Sequence, residues 1–414
     1  MNAQRDDYER VPIDDRQALR AGRREVLVVC LARGLGGSTR SLVTVLGCLP
    51  ASFRRVLCTP GEGPFLRLLR ARGLVDGHLE IPNGGAGTKG KLSRFVAMFE
   101  VMRWVHRHRR AVSVIHANGP EELNLVIPAA LIFNVRVVVW SHARDVSPWM
   151  RRLRVVLRPL VRRMDIRWAA VSNLARDVLV DGGLATTDRV KIVPNPIDPA
   201  DVVGPTRGGL GRTAGTERGG LGRTAGPMEG DATDRVTIGY LGSDAAYKGF
   251  LLLPDVVEEL PDAPVQWLVF SNERSSKSSG AWQRLRELSS ERVSFPGKVP
   301  DVGDAYAQCD IVFMPSLDES FGRVAAEAML NGLPVVASDL PPIRDLLDNG
   351  TAGLLFPPGD VAAAAQCIRA LIDDPTERAR LGGRGRELAG RFEPRTVVAE
   401  LTALYEEDRR LVAG

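Results

Sequence analysis

The chain has 414 residues, 44% hydrophobic and 25% charged; it is too long for one ordinary core and too mixed for a fibre, so two globular domains are expected. Its longest apolar stretch, around Pro128 to Trp140, is interrupted by Asn134 and Arg136 and is too short to span a bilayer. The net charge of +5 hides an asymmetry, with 32 Lys+Arg against 18 Asp+Glu in residues 1–200 and 23 against 32 in residues 201–414, so an anionic partner is expected for the first half only.

Residues 1–23 are charged and lack an apolar core, which reads as a disordered tail and not a signal peptide. Apolar runs then alternate with helical patterns: Val26–Leu31, Arg55–Thr59, Val112–His116, Val135–Trp140, Trp168–Val171 and Val190–Val193. Such alternation means a parallel sheet with right-handed crossovers. After the first run, Gly34-Leu35-Gly36-Gly37-Ser38-Thr39 approaches a dinucleotide fingerprint, but Thr39 replaces the third glycine and the next run ends in Cys58-Thr59 without a ribose-holding acid. Hydride transfer is therefore not expected. Gly85-Ala86-Gly87-Thr88-Lys89-Gly90-Lys91-Leu92 nearly matches a P-loop. Leu92 stands where Ser or Thr would hold magnesium, so the stretch reads as a mobile loop near an acceptor site. Trp149, Leu153, Val156, Leu157, Leu160 and Met164 repeat at helical spacing beside Arg151, Arg154, Arg158 and Arg162. This basic amphipathic segment suits an anionic membrane surface. Nucleic acid is not expected, because no zinc spacing, helix-turn-helix or aromatic-interleaved basic strand is present. Five cysteines (30, 48, 58, 309, 367) lack any CxxC pair and read as free thiols of a reducing cytosol.

Residues 207–215 and 218–226 are an identical Arg-Gly-Gly-Leu-Gly-Arg-Thr-Ala-Gly repeat without apolar periodicity, hence a flexible linker. Beyond it a second alternation begins: Val236–Leu241, Val265–Phe270, Val293–Phe295, Ile311–Met314, Pro334–Ala337 and Gly353–Phe356. The expected organisation is a tail (1–23), a first domain (24–203), a linker (204–232), a second domain (233–392) and a C-terminal helix (393–414) packing back toward the first domain. Gly242-Ser243 to Lys248-Gly249 follows the first of the later runs, and Lys248 is one of only six lysines against 49 arginines. Its ammonium suits a diphosphate. Pro315 to Met329 follows Ile311–Met314 and carries Glu319 and Glu327 on either side of a predicted helix start. Free amides there attract phosphate, whereas carboxylates accept hydrogen bonds from hydroxyls. Together they describe a pocket for a phosphorylated sugar.

These residues, in this order, resemble the retaining glycosyltransferases of GT-B fold with the Glu-x7-Glu signature: Gly36-Gly37, Ile115-His116-Ala117-Asn118, Trp140-Ser141-His142, Pro194-Asn195-Pro196-Ile197-Asp198, Gly242 to Gly249, Glu319 to Glu327, Gly332-Leu333-Pro334-Val335-Val336 and Arg391-Phe392. The resemblance implies an α/β fold of two Rossmann-like doubly wound domains facing across a cleft. The first domain would take the acceptor and the second a nucleotide-diphosphate sugar, in glycan or glycoconjugate biosynthesis. It implies that Glu327 holds the ribose and Glu319 the transferred sugar. The amides of Ser320, Phe321, Gly322, Arg323 and Val324 would meet sugar and diphosphate, Lys248, Gly242 and Ser243 the diphosphate, and Gly36-Gly37 the phosphate from the other domain. His142 would face the donor sugar near its anomeric carbon, with Asn118 and Arg144 on the acceptor side. Departures are Ser243 where the family has Arg, Asn118 where it often has His, and Ser271-Asn272 in place of a Gly-rich turn; Arg323 or Arg274 are the candidates to replace the missing cation.

The expected reaction moves a sugar to an acceptor hydroxyl of a glycan, lipid-linked or small molecule, with retention. No protein nucleophile stands out, so same-face attack is expected. No Asp-x-Asp follows a strand suitably, so no metal or cofactor is expected, with Lys248 and helix amides stabilising the leaving phosphate. The expected location is cytoplasmic, peripheral at the inner face of the membrane. Two alternatives stay open: a catalytically idle sugar-nucleotide-binding relative, and a nucleotide-sugar isomerase on the same fold.

Overall fold

The computed structural model describes residues 24–83, 87–145, 161, 163–204, 235–273, 278–288, 292–297, 299 and 301–407. The tail, the repeat at 207–226, most of the Trp149–Met164 segment, Arg274 and Lys298 lie outside the described residues. The chain divides into two compact units, one of residues 1–196 and 394–414, the other of 197–393.

The first unit runs β1 (Arg24–Val29), α1 (Gly37–Cys48), β2 (Phe53–Thr59), α2 (Pro64–Ala71), β3 (Gly77–Glu80), α3 (Gly87–His108), β4 (Val112–Ala117), α4 (Leu123–Phe133), β5 (Arg136–Ser141), β6 (Ile166–Ala170), α5 (Asn173–Asp181) and β7 (Val190–Ile192). Its seven strands are parallel in the order β3-β2-β1-β4-β5-β6-β7. Near-continuous apolar strands such as Val26–Val29 and Val137–Trp140 are buried, as a sheet covered on both faces requires. Each apolar run of the sequence is a strand here. β3 was not expected, since Gly-His-Leu-Glu is a four-residue edge strand without an apolar pattern. The reading of 85–92 as a loop is corrected: the helix α3 starts at Gly87, because Leu92, Val96 and the residues after them already follow helical spacing.

The second unit runs α6 (Pro199–Val202), β8 (Val236–Leu241), α7 (Leu253–Glu258), β9 (Val265–Phe270), α8 (Ser279–Glu287), β10 (Val293–Ser294), α9 (Val302–Ala307), β11 (Ile311–Met314), α10 (Arg323–Leu330), β12 (Val335–Ser338), α11 (Pro341–Leu346), β13 (Gly353–Phe356), α12 (Val361–Asp373) and α13 (Pro375–Ala389). Its six parallel strands lie in the order β10-β9-β8-β11-β12-β13. Trp267, Phe313 and Phe356 pack from alternate strands of the sheet, β9, β11 and β13, into one core with Phe250 and Trp282.

The last helix, α14 (Pro394–Glu406), belongs to the first unit. Its buried Tyr405 places its hydroxyl 2.8 Å from His116 Nδ1 on β4, and its carbonyl accepts a 3.0 Å hydrogen bond from Arg136 on β5. Across the same sheet, Glu25 of β1 is fully enclosed, pairing with Arg54 of β2 and lying 2.8 Å from His108 Nδ1 at the end of α3. Burial alone would raise its pKa, but the hydrogen bonds from His108 and Arg54 hold it below the ordinary carboxylate range. Removing one member of a buried ion pair leaves a charge that the interior does not solvate. Glu25→Gln is therefore expected to lower the unfolding free energy by about 3 kcal/mol, measured by urea denaturation at neutral pH.

Candidate functional site

In each sheet the chain reverses direction of winding between two adjacent strands, β1 and β4 in the first and β8 and β11 in the second. Loops leaving the carboxyl ends of such strands diverge and open a crevice, the usual place for a ligand in doubly wound folds. The residues singled out by the sequence sit on those loops.

In the second unit, β8 is followed by Gly242-Ser243-Asp244-Ala245, a short 3-10 turn at Ala246–Lys248 and Gly249. Gly249 has φ +71°, and a Cβ there would lie 1.8 Å from the Pro315 carbonyl oxygen of the β11 loop. Only glycine permits this approach. Leu317 N–H then donates to Tyr247 O at 2.8 Å, closing the two loops together. The result brings Lys248 Nζ into an ion pair with Glu319 Oε1, to which Ser316 Oγ also donates at 3.1 Å. Beneath the β8 loop, buried Tyr240 places its hydroxyl 2.8 Å from Ser243 O and 3.4 Å from Lys248 O. Asp244 is buried and accepts from Ser278 Oγ at 2.6 Å. Ser243 itself is exposed.

The β11 loop ends at Gly322, φ +91°, where a Cβ would meet Ile343 at 2.3 Å. Gly322 begins α10 without a side-chain cap, and no acid occupies the first turn. The amides of Arg323, Val324 and Ala325 thus have no intrahelical acceptor, and the positive end of the helix dipole is open to an anion. Phe321 is buried against Phe392, which fixes the loop just before that end. One turn into α10, Glu327 accepts from Tyr306 Oη of α9 at 2.8 Å, and its other oxygen lies 2.7 Å from Arg323 Nε. A carboxylate has lone pairs enough to accept further hydroxyls while so held. Arg323 Nε is thereby directed at Glu327; Arg274 lies outside the described residues. Tyr240, Tyr306 and Asp244 were missed by the sequence, where nothing distinguishes a loop-bracing tyrosine from a core one.

In the first unit, Gly36 and Gly37 start α1. Gly36 N–H donates to Thr39 Oγ1 at 2.8 Å, and added Cβ atoms at Gly34, Gly36 or Gly37 would meet nothing within 4 Å. The loop therefore presents bare backbone. Asn118 follows β4 with its Nδ2 3.7 Å from Cys30 Sγ and its buried Oδ1 unpartnered among the described residues. His142 follows β5, its ring 4.6 Å from that of Trp140. Its Nε2 is buried and lacks a hydrogen-bond partner among the described residues. Burial, then neighbouring His116, push its pKa down to about 3; burial pushes His116 down to about 4. Both imidazoles are neutral at physiological pH. Arg144 is exposed two residues further on. Among the described residues no group of three or more His, Cys, Asp or Glu side chains could hold a metal ion, and no helix is long and apolar enough to cross a membrane.

Two doubly wound parallel sheets, of seven and six strands, match the solved structures of GT-B glycosyltransferases. A family model described as Glycosyltransferase Family 4 matches residues 35–201, and one described as Glycosyl transferases group 1 matches residues 235–374. Phosphatidyl-myo-inositol mannosyltransferase of Mycolicibacterium smegmatis is 30% identical over 306 residues, 71% of this chain and 70% of that protein. The enzyme of the same name from Mycobacterium leprae is 35% identical over 181 residues, 41% of this chain and 46% of that protein, so this match spans under half of the relative's length. Among solved structures, HepE of Anabaena in complex with UDP-glucose superposes with TM-score 0.71 at 21% identity, covering 92% of this chain and 99% of that one. The chain belongs to the glycosyl transferases group 1 and family 4 group, and it is a glycosyltransferase.

One acid near the first crevice escaped the sequence reading. Glu122, in Pro120-Glu121-Glu122, looks like an ordinary helix-start residue, yet it is only 6% exposed. Oε1 accepts from Leu31 N–H, the first residue of the loop that leads to Gly36, at 3.3 Å, and Oε2 is buried without a partner among the described residues. Burial pushes its pKa up to about 8. Between the ordinary value of 4.5 and about 8 the unfolded chain is ionised at Glu122 while the folded chain keeps the proton. Stability from this group is thus fully present at low pH and falls by about 1.4 kcal/mol per pH unit across that window. Glu122→Gln is expected to flatten the decline of Tm between pH 5 and pH 8, read from thermal melts of both proteins across that range.

Proposed function

We propose that the chain transfers a hexosyl group from a nucleoside-diphosphate sugar to an acceptor hydroxyl with retention of anomeric configuration and without a divalent metal. The observation that carries this reading is the Lys248–Glu319 pair beside the uncapped start of α10. A fixed ammonium and free helix amides suit a diphosphate leaving group, whose negative charge grows as the glycosidic bond breaks. Glu319 would hold Lys248 in place before the donor enters, then orient hydroxyls of the sugar. Glu327, held by Tyr306 and Arg323, would grip the ribose. Neutral His142 would offer its open Nε2 to the sugar as a hydrogen-bonding group and carry no charge to the anomeric centre. In same-face attack the anomeric carbon loses its bond to the phosphate oxygen and gains one to the acceptor oxygen. The acceptor proton passes to the departing phosphate, giving the glycoside and a nucleoside diphosphate. The UDP-glucose held by HepE and the mannosyl transfer named for the mycobacterial relatives support a hexose donor. The inositol in the relatives' names makes a polyhydroxylated acceptor the class to test first.

A thermal-shift screen against uridine- and guanosine-diphosphate hexoses is expected to give a rise in Tm with one base over the other, since a ligand that binds the folded state raises its stability. Using that donor, Lys248→Ala and Glu319→Ala are each expected to lower kcat by about 10²–10³-fold with Tm preserved, and full activity in either variant would remove the proposed site. Transfer is expected to survive excess EDTA; its loss, with recovery on adding a divalent ion, would overturn the metal-free reading.

A further inference from the structure

Residues 31–37, which leave β1 at its reversal of winding against β4, are exposed along their whole length, and three anchors hold them. In the middle, Arg33 O accepts from Phe65 N–H at 3.2 Å and Arg33 Nε donates to Glu62 O at 3.1 Å. Gly63 makes room for this, since a Cβ there would lie 2.6 Å from Arg33 O. At the far end, Gly36 N–H donates to Thr39 Oγ1, which lies 3.0 Å from Gly34 O. At the start, Leu31 N–H donates across the reversal to Glu122 Oε1. Hydroxyls, amides and a guanidinium do not titrate near neutral pH. The third anchor rests on a carboxyl, which does.

We infer that Glu122 is a positioning residue: while protonated it holds residues 31–37 in place for a substrate phosphate, and on losing its proton it releases them to water. This rests on the reading of Gly36-Gly37 as a donor-phosphate loop. Glu122 Oε2 packs against Gly119, where a Cβ would lie 2.9 Å away. The titratable groups that bear on the carboxyl are Cys30 at the end of β1, Cys58 on β2 and its exposed neighbour Glu121. Burial pushes both thiols up, Cys30 to about 12, so they are neutral, and Glu121 adds only repulsion. Among the described residues no cation pairs with Glu122. An ionised carboxylate would draw Leu31 N–H closer than the acid does, yet one hydrogen bond does not replace the hydration of a buried charge. Water must therefore reach the group. Pro120 and Leu123 beside it are buried, whereas the loop it holds is exposed, so the loop is the side that gives way. Below about pH 8 the carboxyl keeps its proton and the loop stays held; above it the anchor fails.

The test compares the full chain with Glu122→Gln, which stays neutral at every pH, and with Glu122→Ala, which lacks the anchor. Amide hydrogen exchange of residues 31–37 is expected to match between parent and Glu122→Gln at pH 6 and to run faster in the parent at pH 9; taking the ratio at each pH cancels the intrinsic pH dependence of exchange. With the donor chosen by the thermal-shift screen, the parent's donor KM is expected to rise about tenfold between pH 7 and pH 9, as the fraction of protein with the loop held falls by that factor. Its kcat is expected to follow that of Glu122→Gln, because saturating donor draws the loop back. Glu122→Gln is expected to keep its pH 7 KM at pH 9, and Glu122→Ala to show the higher KM at both. A merely structural role would lower Tm without separating the KM profiles of parent and Glu122→Gln. Two results would overturn the inference: equal loop exchange in those two proteins at pH 9, or donor KM profiles that coincide. Absence of transfer from every sugar nucleotide would instead strike the reading of the reaction, and the exchange comparison would still decide whether the proton of Glu122 holds the loop.

Discussion

The second unit is organised around one close approach, that of the Gly249 α-carbon to the carbonyl oxygen of Pro315. Strands β8 and β11 are neighbours, so their loops leave the sheet side by side, but adjacency alone does not align two side chains. A residue without Cβ lets the backbones touch, the Tyr247–Leu317 hydrogen bond follows, and Lys248 and Glu319 are left facing each other. Tyr240 from below and Asp244 from the side hold the β8 loop in that shape. The electrostatics of the site are therefore set by a steric allowance two atoms wide.

The two crevices solve different problems with the same topology. That of the second unit contains formal charges already matched to one another, Lys248 with Glu319 and Arg323 with Glu327. Under the proposed function, an entering diphosphate or hydroxyl would exchange partners with groups that are already placed, which would limit the reorganisation required. The first unit offers uncharged polarity: neutral His116 and His142, the open Oδ1 of Asn118, uncrowded backbone at Gly36-Gly37 and a protonated Glu122. Such groups discriminate by hydrogen-bond geometry and repel neither a neutral nor an anionic guest.

The strands could be anticipated because buried parallel strands leave continuous apolar runs, and twelve such runs became twelve strands. β3 left no such trace because an edge strand of four residues is half solvated. The candidate site was legible where chemistry and spacing coincide, as at Lys248 and Glu319, which the fold brings into an ion pair. It was not readable where a residue works through packing: Tyr240 and Tyr306 are spelled like any core tyrosine, and Glu122 like any helix-start acid. The partner of Glu122, Leu31, lies 91 positions away, and those of the tyrosines are reached only when a loop or helix has folded over them; a single sequence does not register neighbours gathered by folding.

The placement of α14 has a consequence for synthesis. Residues 197–393 form an uninterrupted compact unit, whereas the first unit draws Pro394–Glu406 from the chain that follows it. The segment made first is thus finished last: His116 waits for the Tyr405 hydroxyl and Arg136 for the Tyr405 carbonyl while the whole of the second unit emerges and folds. A chain without α14 would keep every segment of the second unit and would leave His116 and Arg136 of the first without their Tyr405 partners.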